Sequence, residues 1–313
     1  MINRRVLRIK VLQVIYASLK KETNSLQQAE NELLFSIQKT YDLYWYLLLL
    51  LDRVTGYAAK IADIRKNKKF ATEEEKNPNL KFVNNRITEL ITFHETYINK
   101  ITEKKLSWDN HSELIKKVYE LLTNSEVYKK YLYEKEDNFR NDKRILKFFF
   151  SELLFNCEEL YSALEEDSIF WTNDIDFILL KITHTVDNIK KHKPETLEFP
   201  EQFKQPEDKD FAVNLLRNTL INKNNYIKII EKNIVNWDID RIADFDKVVL
   251  ITAISEIIKF PSIPVKVTFN EYIELAKMFG SKKSGSFING ILDKTIKYLS
   301  EEELFIKTGR GLA

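Results

Sequence analysis

Apolar positions recur every three or four residues along nearly the whole chain. Leu7, Val11, Leu12, Ile15, Tyr16 and Leu19 share one helical face over residues 6–19. Ser25 and Gln28 are spaced as a capping box opening a second helix through Leu26, Leu33, Leu34 and Ile37. Helical patterns follow near 42–66, 80–104, 110–133, 139–165 and 174–191, with breaks at Asn77-Pro78, at Trp108-Asp109-Asn110 and around Phe170-Trp171. A later set falls near 207–221, 224–235, 244–260, 268–279 and 284–299. There Thr268 and Glu271 are spaced as another capping box, and Gly280 stands where a C-terminal cap belongs. No period-two alternation is sustained and no repeat occurs. The pattern predicts an all-α protein.

Pro194, Pro200 and Pro206 interrupt the pattern between two helical stretches and read as a connector, because proline cannot continue a helix. The residues from Glu301 to Ala313, with Gly309, Arg310 and Gly311 among them, are expected to fray as a flexible tail.

Composition narrows the chemistry. The 313 residues contain 49 Lys and Arg against 47 Asp and Glu, so any nucleic-acid contact must be a local patch. The six glycines form neither a dinucleotide nor an NTP phosphate loop. A single cysteine, Cys157, excludes a disulfide framework and a cysteine-based zinc site, and its apolar surroundings predict a buried structural thiol. The longest apolar run, Leu43 to Leu51, is nine residues, less than half of a membrane span. No secretory signal is read at the start, so a cytoplasmic, non-membrane protein is expected.

Nothing supplies a nucleophile, a base and an oxyanion site together, so no catalytic residues are assigned. His184 and Asp187 lie one helical turn apart, but no third ligand accompanies them, and neither a metal nor a cofactor is expected. The first helix is different. Arg4, Arg5 and Arg8, after Asn3 and before Lys10, place cations at the positive end of the helix dipole, where stability alone favours acids. Cations beside free backbone N–H groups suit phosphate, although a solvated basic end would show the same pattern. A second basic surface surrounds Gly280 and Gly285: Lys277, Lys282, Lys283 and Ser284, followed by Phe287 and Asn289. Here an aromatic ring could stack a base while lysines hold phosphates, or a core Phe could simply adjoin a solvated loop. Aromatic and basic residues also interleave over 126–150, but acidic neighbours nearly cancel those charges, and ordinary amphipathic helices account for them.

Some stretches are more specific. Asn236-Trp237-Asp238-Ile239-Asp240-Arg241-Ile242, then Phe245-Asp246-Lys247-Val248-Val249-Leu250, resemble the NusB transcription antitermination family. So do Ile263-Pro264-Val265-Lys266-Val267, Asn270-Glu271 with Glu274-Leu275-Ala276-Lys277 and Phe279-Gly280, and Phe287 to Lys294. The start, Arg4-Arg5 with Arg8 and Val11 to Tyr16, is similar to that family's first helix. The resemblance covers about 95 C-terminal and 20 to 40 N-terminal residues.

The resemblance implies an all-helical domain of two small bundles that binds boxA-type single-stranded RNA in ribosomal RNA leaders, without catalysis. It implies a ribosomal small-subunit protein, NusE, as partner, and leaves other Nus factors, RNA polymerase and homodimerisation open. Its RNA positions fall on Asn3, Arg4, Arg5, Arg8 and Tyr16 and on the Lys282–Phe287 turn; its partner-facing position falls on Asp246, beside Lys247. The expected organisation is a family domain of 1–41 plus 207–300, an inserted helical unit at 42–206, and the tail. Two features depart from the family: its often acidic turn carries Lys282 and Lys283 here, and the insertion of roughly 160 residues roughly doubles the length. Two other readings predict different chemistry. One is a protein-binding scaffold that has lost RNA contact; the other is a domain attached to a ribosomal RNA methyltransferase, against which stands the lack of a glycine-rich cofactor loop.

Overall fold

The computed structural model describes every residue except 22–24, 135–137, 191–196, 235–238 and 313. Thus Asn236, Trp237 and Asp238 of the family-like stretch, and Pro194 of the connector, lie outside the described residues. Fifteen α-helices and no sheet are present among the rest, so the fold is all-α.

The helices are α1 (Arg4–Lys20), α2 (Leu26–Lys66), α3 (Glu73–Lys76), α4 (Arg86–Thr92), α5 (Glu95–Lys104), α6 (Ser112–Asn124), α7 (Glu126–Tyr133) and α8 (Phe139–Phe148). They continue with α9 (Glu158–Asp167), α10 (Ile175–Asn188), α11 (Asp208–Ile221), α12 (Lys223–Asn233), α13 (Asp244–Lys259), α14 (Val265–Phe279) and α15 (Ser284–Glu301). Two compact units divide the chain: Ile2–Ile37 with Phe203–Ala313, and Gln38–Gln202 with Met1.

The division falls inside α2, which the sequence reading splits into two helices. No glycine or proline lies between Leu26 and Thr55, so nothing breaks the hydrogen-bond ladder. The expected box at Ser25 closes it: Gln28 N donates to Ser25 Oγ at 3.2 Å and Ser25 N to Gln28 Oε1 at 3.0 Å. Elsewhere long expected helices are cut by side-chain caps. Asn85 accepts from the N–H groups of Ile87 and Thr88, His94 Nδ1 accepts from Thr96 N, and Ser125 Oγ accepts from Tyr128 N. The pattern over 139–165 is interrupted by a π-helical turn at Phe149–Leu153.

In the 38–202 unit the run from Leu43 to Leu51 is buried on every side, which explains why it carries no polar face. Tyr46 stacks on Trp108 at 4.0 Å, and Trp108 Nε1 donates to Tyr46 O at 2.9 Å. Cys157 is buried, and desolvation pushes its thiol above its ordinary pKa. Asp187 pairs with Lys147 at 3.0 Å, and His184 Nδ1 lies 3.0 Å from Asn188 Nδ2. Among the described residues no three His, Cys, Asp or Glu side chains group as a metal site, and no helix is long and apolar enough to cross a membrane.

In the other unit α13 is the central element. Its residues from Val248 to Ile257 are buried almost without interruption, and it packs against α1, α11, α12, α14 and α15. The segment beyond α15, expected to fray, is instead tied down. Lys307 Nζ donates to Ile257 O at 2.9 Å and Phe260 O at 3.1 Å, satisfying carbonyls at the C-terminal end of α13, and Thr308 N donates to Pro261 O. Thr268 and Glu271 also correct the sequence reading. Helix α14 starts at Val265, just after Pro264, so both residues lie inside the helix and their side chains are free for other work.

Candidate nucleic-acid interface

The start of α1 is held by Asn3, whose Oδ1 accepts from Val6 N at 3.1 Å. From there the first two turns project Arg4 toward α11, Arg5 toward α14 and Arg8 toward α13. Arg4 Nε donates to Asp208 Oδ1 at 3.0 Å, and its guanidinium lies 4.9 Å from the Phe211 ring centre. Arg5 grips Glu271 with two bonds of 2.9 and 2.6 Å and remains 54% exposed. Its hydrogen bond holds the Glu271 carboxyl below its ordinary pKa, against the opposing effect of burial.

Arg8 is different. Its side chain is 4% exposed and makes two bonds to Glu256, from Nε at 2.8 Å and Nη2 at 2.7 Å. Thr268 Oγ1 and Tyr272 OH donate to the same carboxylate at 2.8 and 3.1 Å. Desolvation favours deprotonation of Arg8, but the Glu256 hydrogen bonds and charge outweigh it and hold the guanidinium ionised. Arg8 is therefore a core ion-pair residue rather than the exposed cation that its place at the helix start predicts. The arginine on the helix face is legible in the sequence; the acid that meets it from α13 lies far along the chain. Glu256 within the largely apolar stretch Val248 to Ile258 is the available signal, since a buried carboxylate requires a partner.

Asn3, Arg4, Arg5 and Arg8 line one cleft of about 570 Å³, whose far wall is Ile263, Pro264 and Val267. A fourth arginine joins them. Arg310, assigned to a fraying tail by sequence, lines the same cleft and is exposed. Tyr16 is not among the lining residues; it is exposed farther along α1, with the Lys20 ammonium 5.9 Å from its ring centre.

The second predicted surface sits at the junction of α14 and α15. Lys282, Lys283 and Asn289 are exposed, Phe287 is half-buried, and Lys277 pairs with Glu274 at 2.7 Å. Ser284 leaves the predicted contact set. It is buried, its Oγ accepts from Ser281 N at 2.9 Å and donates to Asp246 Oδ2 at 3.1 Å. Asp246 is likewise buried, and burial raises its carboxyl pKa. Lys247 lies 3.8 Å from Asp244 and is half-buried. Gly280 is required here by space: a Cβ would stand 2.6 Å from Ala276 O and from the Ser284 side chain.

The profile of the NusB family matches residues 175–297, from α10 into α15, and so includes α13 and α14 but neither α1 nor Arg310. A protein of Salinibacter ruber named transcription antitermination protein NusB is 42% identical over 107 residues, covering 34% of this chain and 67% of that one. Proteins of the same name are 36% identical over 104 residues in Chloroherpeton thalassium, covering 33% and 49%, and 43% identical over 82 residues in Bacillus licheniformis, covering 26% and 64%. No solved structure matches the chain. The profile and the aligned lengths agree with the motifs around Asp246, Glu271 and Phe287, and the chain belongs to the NusB family.

Proposed function

We propose that the unit formed by 2–37 and 203–313 binds boxA-type single-stranded RNA and acts, without catalysis and in the cytoplasm, in transcription antitermination of ribosomal RNA operons. The observation that carries this reading is the cleft at the start of α1, where arginines from separate parts of the chain converge in a unit bearing the family match. Guanidinium groups fork onto phosphate oxygens and stack on bases, which suits a strand whose bases are splayed. Lys282 and Lys283 supply further exposed cations beside the half-buried ring of Phe287.

Acids temper the cleft's charge, so modest affinity for RNA alone and enhancement by the ribosomal protein NusE are expected. Fluorescence anisotropy of a labelled boxA-like oligonucleotide, with and without NusE, tests the reading. Binding strengthened by NusE and weakened by salt supports it. Absence of binding under both conditions rejects it and favours a protein-docking role.

A further inference from the structure

We propose that Arg310 is the phosphate-gripping cation of the arginine cleft, delivered there by a docked C-terminal segment; this rests on the RNA-binding reading above. The cleft's arginines are not equivalent. Arg4 is committed to Asp208, Arg5 to Glu271 and Arg8 to Glu256, so three carboxylates answer three guanidinium groups. Arg310 has no carboxylate within ion-pair distance among the described residues and is exposed. It supplies the charge that the local acids do not cancel. An incoming phosphate meets no internal competitor at Arg310, whereas at Arg4 or Arg5 it must share the guanidinium with a carboxylate.

The position of Arg310 is built rather than incidental. Lys307 anchors the segment on the end of α13, and Thr308 N donates to Pro261 O at 3.0 Å. Gly309 adopts φ +53°, a left-handed conformation that glycine tolerates, and starts a short 3₁₀ turn through Leu312. Gly311 then presses onto the 261–262 backbone so closely that a Cβ would stand 1.9 Å from Pro261 O. The two glycines thus hold Arg310 over the same Ser262–Pro264 wall that faces Arg4 and Arg5.

The test uses the full chain and a labelled boxA-like RNA over a salt series. Arg310→Gln should weaken binding about tenfold and reduce the magnitude of the salt slope by about 0.7, the loss of one single-strand phosphate contact. Arg310→Lys should retain the slope. Gly311→Ala, which displaces the segment without touching the charge, should weaken binding in the same direction while the thermal transition of the helical core persists. Arg5→Gln serves as the reference for the cleft. Unchanged binding by Arg310→Gln alongside weakened binding by Arg5→Gln would overturn the role of Arg310 and leave the RNA reading standing. A wild-type chain that binds no RNA, with or without NusE, would overturn both.

Discussion

Arg8 and Glu256, 248 positions apart in sequence, meet through two parallel hydrogen bonds of 2.8 and 2.7 Å in the core of the 2–37/203–313 unit. The pair joins α1 to α13, and Thr268 and Tyr272 complete the carboxylate's bonding from α14. Arg8→Met would leave Glu256 buried without its counter-charge, a loss of about 3–5 kcal/mol. Urea unfolding should show a lower midpoint with little change in slope. Arg8→Glu would place two carboxylates together and unfold the unit, so a loss of RNA binding in that variant would report on folding.

Glu271 occupies the Arg5 guanidinium with two hydrogen bonds, so on the proposed RNA reading it would compete with phosphate there. Glu271→Gln removes one negative charge near the bound strand. At low salt this should strengthen RNA binding by about two- to threefold, the scale of one charge at several ångströms in solvent-exposed surroundings. Anisotropy titrations check it. Weaker binding would mean that Glu271 matters more for orienting Arg5 than for opposing phosphate.

Asp246 gives a pH signature. Its folded pKa is raised above the ordinary 3.8 because burial disfavours the charged form, while Ser284 only partly compensates. Between 3.8 and the raised value the folded state holds a proton that the unfolded chain has released. The contribution to stability is therefore fully present below pH 3.8 and is lost as pH rises through the folded pKa. Asp246→Asn should flatten that part of the stability–pH curve. Denaturation midpoints of both proteins from pH 3.5 upward measure the difference.

The α14–α15 junction has no spare volume. Gly280→Ala would bring a methyl within 2.6 Å of Ala276 O and the Ser284 side chain. Overpacking of this kind costs about 1–3 kcal/mol. The variant should unfold at lower temperature and, by shifting the Lys282–Lys283 turn, bind RNA less well. Wild-type values for both would show that the turn relaxes freely.

How much of this was legible follows from what each element depends on. The helical class, the start of α1 and the Ser25 box rest on local periodicity and capping, which the sequence states directly. The box at Thr268 did not form because Pro264 sets the helix start four residues earlier, freeing Thr268 for Glu256 and Glu271 for Arg5. Arg8, Ser284 and Asp246 are buried for a reason that the sequence does not carry. Arg8 meets Glu256 and Ser284 meets Asp246 across the fold, and spacing along one helix carries no information about either partner. Arg310 reads as part of a fraying tail because Gly309 and Gly311 flank it beyond the last helical pattern. Their packing on Pro261 depends on tertiary contact.

The central claim is that the cleft at the start of α1 holds RNA. The most direct measurement compares wild type with an Arg4→Gln/Arg5→Gln double variant, which leaves the buried Arg8–Glu256 pair intact, in anisotropy titrations with boxA-like RNA and NusE. The account predicts a folded variant, confirmed by circular dichroism, with binding reduced at least tenfold and a shallower salt slope by about 0.7 per lost phosphate contact. A folded double variant that binds RNA as tightly as wild type, with the same salt dependence, would contradict it.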